Sequence, residues 1–175
     1  METINKNILT AEAGKAAIYF GLISGGFIVL NFLCANWGIA GSIITSLLSL
    51  GKIVGCIYLM IYLMKKFKAS YEGVHKREVL RYGTLIALFS AIITAVIAYI
   101  SYQYLFADQL KAIMDEVYVQ MRSMMNADML NQMLEMESSM AVYAMMGNLI
   151  WCFLYGWILS LILAPRIAPE NIFED

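Results

Sequence analysis

Four long stretches of this chain carry no charged side chain: Ala16–Gly51, Ile53–Met64, Tyr82–Ala107 and Ser138–Pro165. A helix needs about 20 apolar residues to cross a hydrocarbon core roughly 30 Å thick. The first two stretches together hold two crossings, separated by a polar turn at Asn36-Trp37-Gly38. The third and fourth hold one each. The pattern predicts an all-α integral membrane protein, a four-helix bundle with crossings over 16–35, 39–64, 79–106 and 140–164.

Composition supports this class. Hydrophobic residues make up 61% of the chain and charged residues 14%, against about 25% charged in a typical soluble domain. Four crossings and their connections use nearly all of residues 1–175, so a single membrane domain is expected. The net charge of −1 provides no global field for nucleic acid. Cys34, Cys56 and Cys152 all lie inside apolar runs. An odd number without CxxC spacing argues against a disulfide framework or a zinc site. The first apolar run is longer than a signal-peptide core and flows into a second crossing, so it reads as a retained helix.

Basic residues set the orientation. Lys65, Lys66, Lys68, Lys76, Arg77 and Arg81 crowd the connection between the second and third crossings. The connection between the third and fourth has only Lys111 and Arg122. Short loops rich in Lys and Arg stay in the cytoplasm. Both termini are then expected to be cytoplasmic, in a multi-pass protein of the cytoplasmic (inner) membrane. Trp37, Tyr102 and Tyr143 fall near the outer interface and Tyr19, Phe67 and Tyr82 near the inner one, where amphipathic rings are favoured.

The segment 108–139 differs in kind. Leu110, Ile113, Met114, Val117 and Met121 recur at helical spacing and give one apolar face. Asn126-Ala127-Asp128 offers a break, after which a second helical stretch runs into the fourth crossing. Six carboxylates (Asp108, Asp115, Glu116, Asp128, Glu135, Glu137) outweigh Lys111 and Arg122. An external, acidic, amphipathic helical arm is expected.

The chain resembles a known family through three elements. These are Lys65-Lys66-Phe67-Lys68 after the second crossing, the Arg81-Tyr82-Gly83 entry to the third, and the Met- and acid-rich stretch Asp108–Met140. Together they are similar to the four-span bacterial membrane proteins grouped as domain-of-unknown-function family 4199, found mainly in Bacteroidetes. The loop reads Glu72-Gly73-Val74-His75 where that family usually has Gly-Gly and aromatic-Gly elements. The resemblance implies a cytoplasmic-membrane protein without an assigned activity and transfers no catalytic or binding residue.

Lys52 is the sharpest local signal, because it stands near the middle of the second crossing. A charge at that depth costs about 2.5–3.5 kcal/mol on insertion scales, so it needs a partner or water. No Asp or Glu lies inside any expected crossing. Thr45, Ser46 and Ser49 share its side of the helix and make it a candidate polar site, either a crevice for an anion or a bundle-facing lysine held by hydroxyls. His75, the one histidine, sits in the basic loop and reads as solvated. Ten methionines fall between Met114 and Met146; soft thioethers suit Cu(I), but Met is also an adaptable filler of binding faces.

No phosphate loop, HExxH, GxSxG or paired intramembrane carboxylate is present. The expectation is a protein that is not an enzyme, with no catalytic residue, cofactor or metal site. A membrane subunit or scaffold is expected, binding a membrane-protein partner or a second copy through Leu110, Met114, Val117 and Met121. The alternatives are a transport-related role built on Lys52 and Met-rich metal handling. The bilayer itself is the other partner.

Overall fold

The computed structural model describes residues 6–35, 37–71, 73–121 and 127–169, with backbone alone at 35, 38, 121, 127–131, 133 and 134. Helix α1 spans Lys6–Ala35, α2 Gly38–Ser70, α3 Lys76–Ile100, α4 Ala107–Met121 and α5 Ala127–Ile167, with a π-helical turn, Ser101–Leu105, after α3. No strand occurs among the described residues. Four segments are long and apolar enough to cross a membrane: Lys6–Cys34, Ile39–Ser70, Lys76–Leu105 and Glu135–Ile167. Each covers one expected crossing to within a residue and extends beyond it at one end or both. Backbone groups in hydrocarbon must be paired within the segment, which favours uninterrupted helices. At 1.5 Å per residue the 41-residue α5 is about 60 Å long, twice the hydrocarbon core, so it projects beyond the bundle.

Helix α3 packs broadly on α1 and α5, and α2 closes the ring with narrower contacts to the same two helices. Small residues make the close approaches possible. A Cβ at Gly21 would lie 2.7 Å from the Ile93 Cβ, and one at Gly25 would strike Ile97. On the other side of α3, a Cβ at Gly156 would lie 2.6 Å from the Ala87 Cβ. The row Gly83, Ala87, Ala91, Ala95 and Ala98 is buried throughout. Such rows replace the hydrophobic drive that lipid cannot supply. Here they serve packing within the bundle. The opposite faces carry large exposed side chains, among them Leu22, Leu47, Val54, Val96 and Leu161, as a lipid-facing surface requires.

The core is concentrated at the end carrying the basic loop. Leu9, Ala13 and Phe20 of α1 meet Met60, Met64 and Phe67 of α2, Val79, Tyr82 and Ile86 of α3, and Leu163 and Ile167 of α5. The Phe67 and Tyr82 rings stack at 4.0 Å. The connections at this end are well terminated. Gly73 takes φ +68°, a left-handed conformation that suits glycine. The Glu78 carboxylate accepts the His75 backbone N–H at 3.1 Å and places negative charge at the start of α3. The Lys68 ammonium donates to the Ile167 carbonyl at 2.7 Å, satisfying an end carbonyl of α5 where the helix dipole favours a cation.

At the other end, the π turn redirects the chain. Phe106 N–H reaches back to the Ser101 carbonyl at 2.9 Å. The turn brings Tyr102 and Phe106 around Phe32 of α1, with centroids at 4.9 and 4.7 Å. The described parts of the expected arm, 108–121 and 127–139, are helical. Tyr118 of α4 donates to the Glu137 carboxylate of α5 at 3.0 Å. Leu110 and Met114 line a cleft of about 350 Å³ with Tyr102, Glu137 and Met140. The apolar face of α4 is thus turned, at these two positions, toward the π turn and α5. The expected turn residue Asn36 and the expected break at Asn126 lie outside the described residues.

Candidate functional site

Lys52 stands 14 residues after Gly38 and 13 before Lys65, about 20 Å from each along α2. It lines a cavity of about 270 Å³ between α1, α2 and α5. Helix α1 contributes Phe20, Ser24 and Asn31; α2 contributes Ser49, Lys52, Ile53 and Cys56; α5 contributes Trp151, Cys152 and Tyr155. Phe20, Ser24 and Cys56 are buried. Phe20 and Cys56 also belong to the core at the basic end, so the cavity has a packed floor on that side.

The rim differs from the floor. Ser49, Ile53 and Trp151 are exposed, and α2 touches α5 only narrowly. The mouth therefore lies between α2 and α5. Tyr155 crosses this gap and donates its phenolic hydrogen to the Ile53 carbonyl at 3.3 Å. At the depth of Lys52 the surroundings of a membrane-spanning bundle are hydrocarbon.

The polar groups of the cavity are incompletely matched. Lys52 makes no hydrogen bond or ion pair among the described residues, although its charge bears on the thiols of Cys56 and Cys152. The Asn31 Oδ1 atom is buried without a hydrogen-bond partner. Buried polar atoms without partners are rare and each calls for an explanation. A lysine ammonium carries three donors and a full charge. The ammonium can pair with an anion, whereas the Asn31 oxygen, an acceptor, can take only a hydrogen-bond donor.

Of the residues singled out in the sequence, Ser49 and Lys52 come together in the cavity; Thr45 and Ser46 are not among its lining residues. The Thr45 and Ser46 hydroxyls donate to the Ser42 carbonyl at 3.0 and 2.9 Å, and Ser49 donates to Thr45 at 2.8 Å. Hydroxyls in apolar helices readily bond back to their own backbone, so this stripe is largely self-satisfied. The sequence reading missed Ser24, Asn31, Cys152 and Tyr155. A usable signal existed in α1: Ser24 and Asn31 are seven residues apart, two turns on one face of the charge-free part of the helix.

In the arm, Leu110 and Met114 line the cleft, Val117 is half-buried, and the side chain of Met121 lies outside the described residues. Ile113 and Val119 are exposed, Val119 at 77%. Among the described residues no three His, Cys, Asp or Glu side chains gather as a metal site. Of the ten methionines between Met114 and Met146, Met136 is exposed and Met140 lines the cleft, while the Met133 side chain lies outside the described residues.

The family model described as Protein of unknown function (DUF4199) matches residues 19–165. The chain belongs to this family. The DUF4199 match runs from Tyr19 in α1 to Pro165 in α5 and contains every residue lining the Lys52 cavity. It also contains α4 and its cleft with α5. No curated protein and no solved structure matches the chain.

Proposed function

We propose that this DUF4199 protein is a small non-enzymatic protein of the cytoplasmic membrane that holds an anion inside its bundle, in a transport-related role. The observation that carries this reading is Lys52: a cation at mid-depth, lining a cavity, with no hydrogen bond or ion pair among the described residues. Such a charge is costly to insert and marks a functional site by default. A bound anion offsets that cost. The floor formed by Phe20 and Cys56 favours a binding site over a continuously open pore. The Lys- and Arg-rich connection faces the cytoplasm in this proposal, and the arm faces the other side.

The test is mass spectrometry of acidic small molecules that copurify with the protein. Wild type carries a species that Lys52→Leu loses and Lys52→Arg keeps. Identical recovery from wild type and Lys52→Leu overturns the reading.

A second reading, a membrane subunit that binds a partner protein through the arm, is favoured by the exposure of Ile113 and Val119 on α4. Leu110 and Met114 already face the cleft shared with α5, which leaves less apolar surface for a partner. Crosslinking from Val119→Cys to one discrete membrane protein supports this reading; recovery of uncrosslinked monomer alone removes it.

A further inference from the structure

We infer that the ligand of the Lys52 cavity is a single-chain amphiphile with one carboxylate, reaching the site from the bilayer through the gap between α2 and α5. The inference rests on the anion-site reading above and adds the chemistry of the ligand and its route. Three observations lead to it.

The first is the direction of the mouth. Its rim is formed by Ser49 and Ile53 of α2 and Trp151 of α5, all exposed at mid-depth of the bundle. A water-soluble ion on that route would cross hydrocarbon, whereas an amphiphile already resides there. The Phe20 and Cys56 floor closes the cavity toward the basic end, so the basic end offers no open approach.

The second is size. A cavity of about 270 Å³ falls just below the roughly 300–1,000 Å³ of ordinary small-molecule sites. It accommodates a small head and the first part of one chain, with the rest of the chain left in lipid. A two-chain phospholipid exceeds it.

The third is charge. Lys52 is the one cationic side chain lining the cavity, and among the described residues no carboxylate lines it. A single carboxylate cancels that charge one for one. A doubly charged phosphate monoester leaves excess negative charge in a low-dielectric site, where uncompensated charge is costly. The unpartnered Oδ1 of Asn31, farther along α1, shows that the protein's own groups do not complete the polar lining. A hydroxyl or amide N–H on the ligand chain fits that acceptor.

The experiment uses the full chain in lipid nanodiscs with palmitic acid bearing a diazirine on its chain, followed by peptide mapping of the photoadducts. Labelling is expected on the α2 and α5 segments that flank the mouth. Unlabelled palmitic acid competes; acetate, inorganic phosphate, methyl palmitate and phosphatidylglycerol do not. Lys52→Leu lowers labelling at least tenfold and Lys52→Arg preserves it. Ser49→Trp fills the rim while keeping Lys52 itself and lowers labelling as well, which guards against misfolding of any one variant.

The outcomes are separable. Competition by acetate or phosphate shows that the site takes a free aqueous anion, which overturns this inference and leaves the anion-site reading standing. Competition by phosphatidylglycerol assigns the site to a two-chain lipid and overturns it likewise. Equal labelling in wild type, Lys52→Leu and Ser49→Trp marks non-specific lipid contact and overturns it. Absence of any Lys52-dependent anion, whether probe or copurified, removes both.

Discussion

At the scale of single residues, one side chain accounts for most of what the sequence says about function. Lys52 is legible because charge is conspicuous among apolar neighbours, and an intramembrane ion must be accommodated. What completes the site is less legible. Ser24 and Asn31 sit on α1 and Cys152 and Tyr155 on α5, and only tertiary packing sets them opposite Lys52. The hydroxyl stripe on α2 carries a bond that periodicity alone does not reveal: Thr45 and Ser46 donate back to their own helix. Replacing the ammonium tests this balance. With no hydrogen bond or ion pair among the described residues to lose, Lys52→Leu is expected to raise stability, by up to about 2.5–3.5 kcal/mol on the insertion scale. Thermal unfolding of the ligand-stripped protein in detergent reads it. A clear loss of stability shows instead that Lys52 is anchored by interactions the bundle depends on.

At the scale of elements, helix spacing identifies which faces approach closely but not which helices they meet. Gly21 and Gly25, four residues apart, mark a face of α1 that can approach closely; the structure supplies Ile93 and Ile97 of α3 as the partners. Overpacking such a contact costs typically 1–3 kcal/mol, so Gly21→Ala is expected to destabilise the bundle by about that much. Gly26→Ala is the internal control, because a Cβ there meets nothing within 4 Å. Equal midpoints for the two variants in a detergent-unfolding titration contradict the α1–α3 packing. The π turn after α3 had no sequence signal, since Ser101–Leu105 differs from ordinary helix only in the offset of its hydrogen bonds. The arm was legible as helix from its apolar period, but its docking on α5 was not. Tyr118 reports that docking. Partial burial, the hydrogen bond to Glu137, and the carboxylates of Glu137 and Asp115 all raise its pKa above the ordinary tyrosine value. A raised folded-state pKa means the contribution is fully present below about 10. It is lost as pH climbs through the raised value. Hydrogen exchange across α4 is therefore expected to stay slow at neutral pH and to accelerate above pH about 10 beyond the intrinsic base-catalysed rate. Tyr118→Phe is expected to show faster exchange already at neutral pH and no such further step. A pH profile of the same shape in Tyr118→Phe places the docking elsewhere.

At the scale of the whole molecule, the two ends of the bundle differ in kind. One end has the dense core, stacked aromatics, a helix end held by Lys68, and the basic connection. The other has the π turn and the arm with its cleft, and α2 touches α5 only narrowly. Four charge-free stretches made the four crossings plain in the sequence, since no other arrangement keeps so much apolar surface out of water. This polarity of packing was not plain, because core and lipid-facing residues are equally apolar and composition does not separate them. The polarity becomes directional once the bundle is placed in a membrane. Nine of the twelve basic residues (Lys6, Lys15, Lys65, Lys66, Lys68, Lys76, Arg77, Arg81 and Arg166) belong to the densely packed end. Basic residues near crossing ends resist translocation and stay in the cytoplasm. The dense end is therefore expected to face inward, and the Lys52 cavity, closed on that side by Phe20 and Cys56, to lean toward the opposite leaflet. Ser70→Cys and Val119→Cys test the orientation in a background with Cys34, Cys56 and Cys152 replaced by Ala. Both positions are exposed, one at the end of α2 and one on α4. A membrane-impermeant maleimide applied to spheroplasts is expected to label Val119→Cys at once and Ser70→Cys only after the membrane is permeabilised. The reverse pattern inverts the protein, and with it the leaflet from which the cavity is filled.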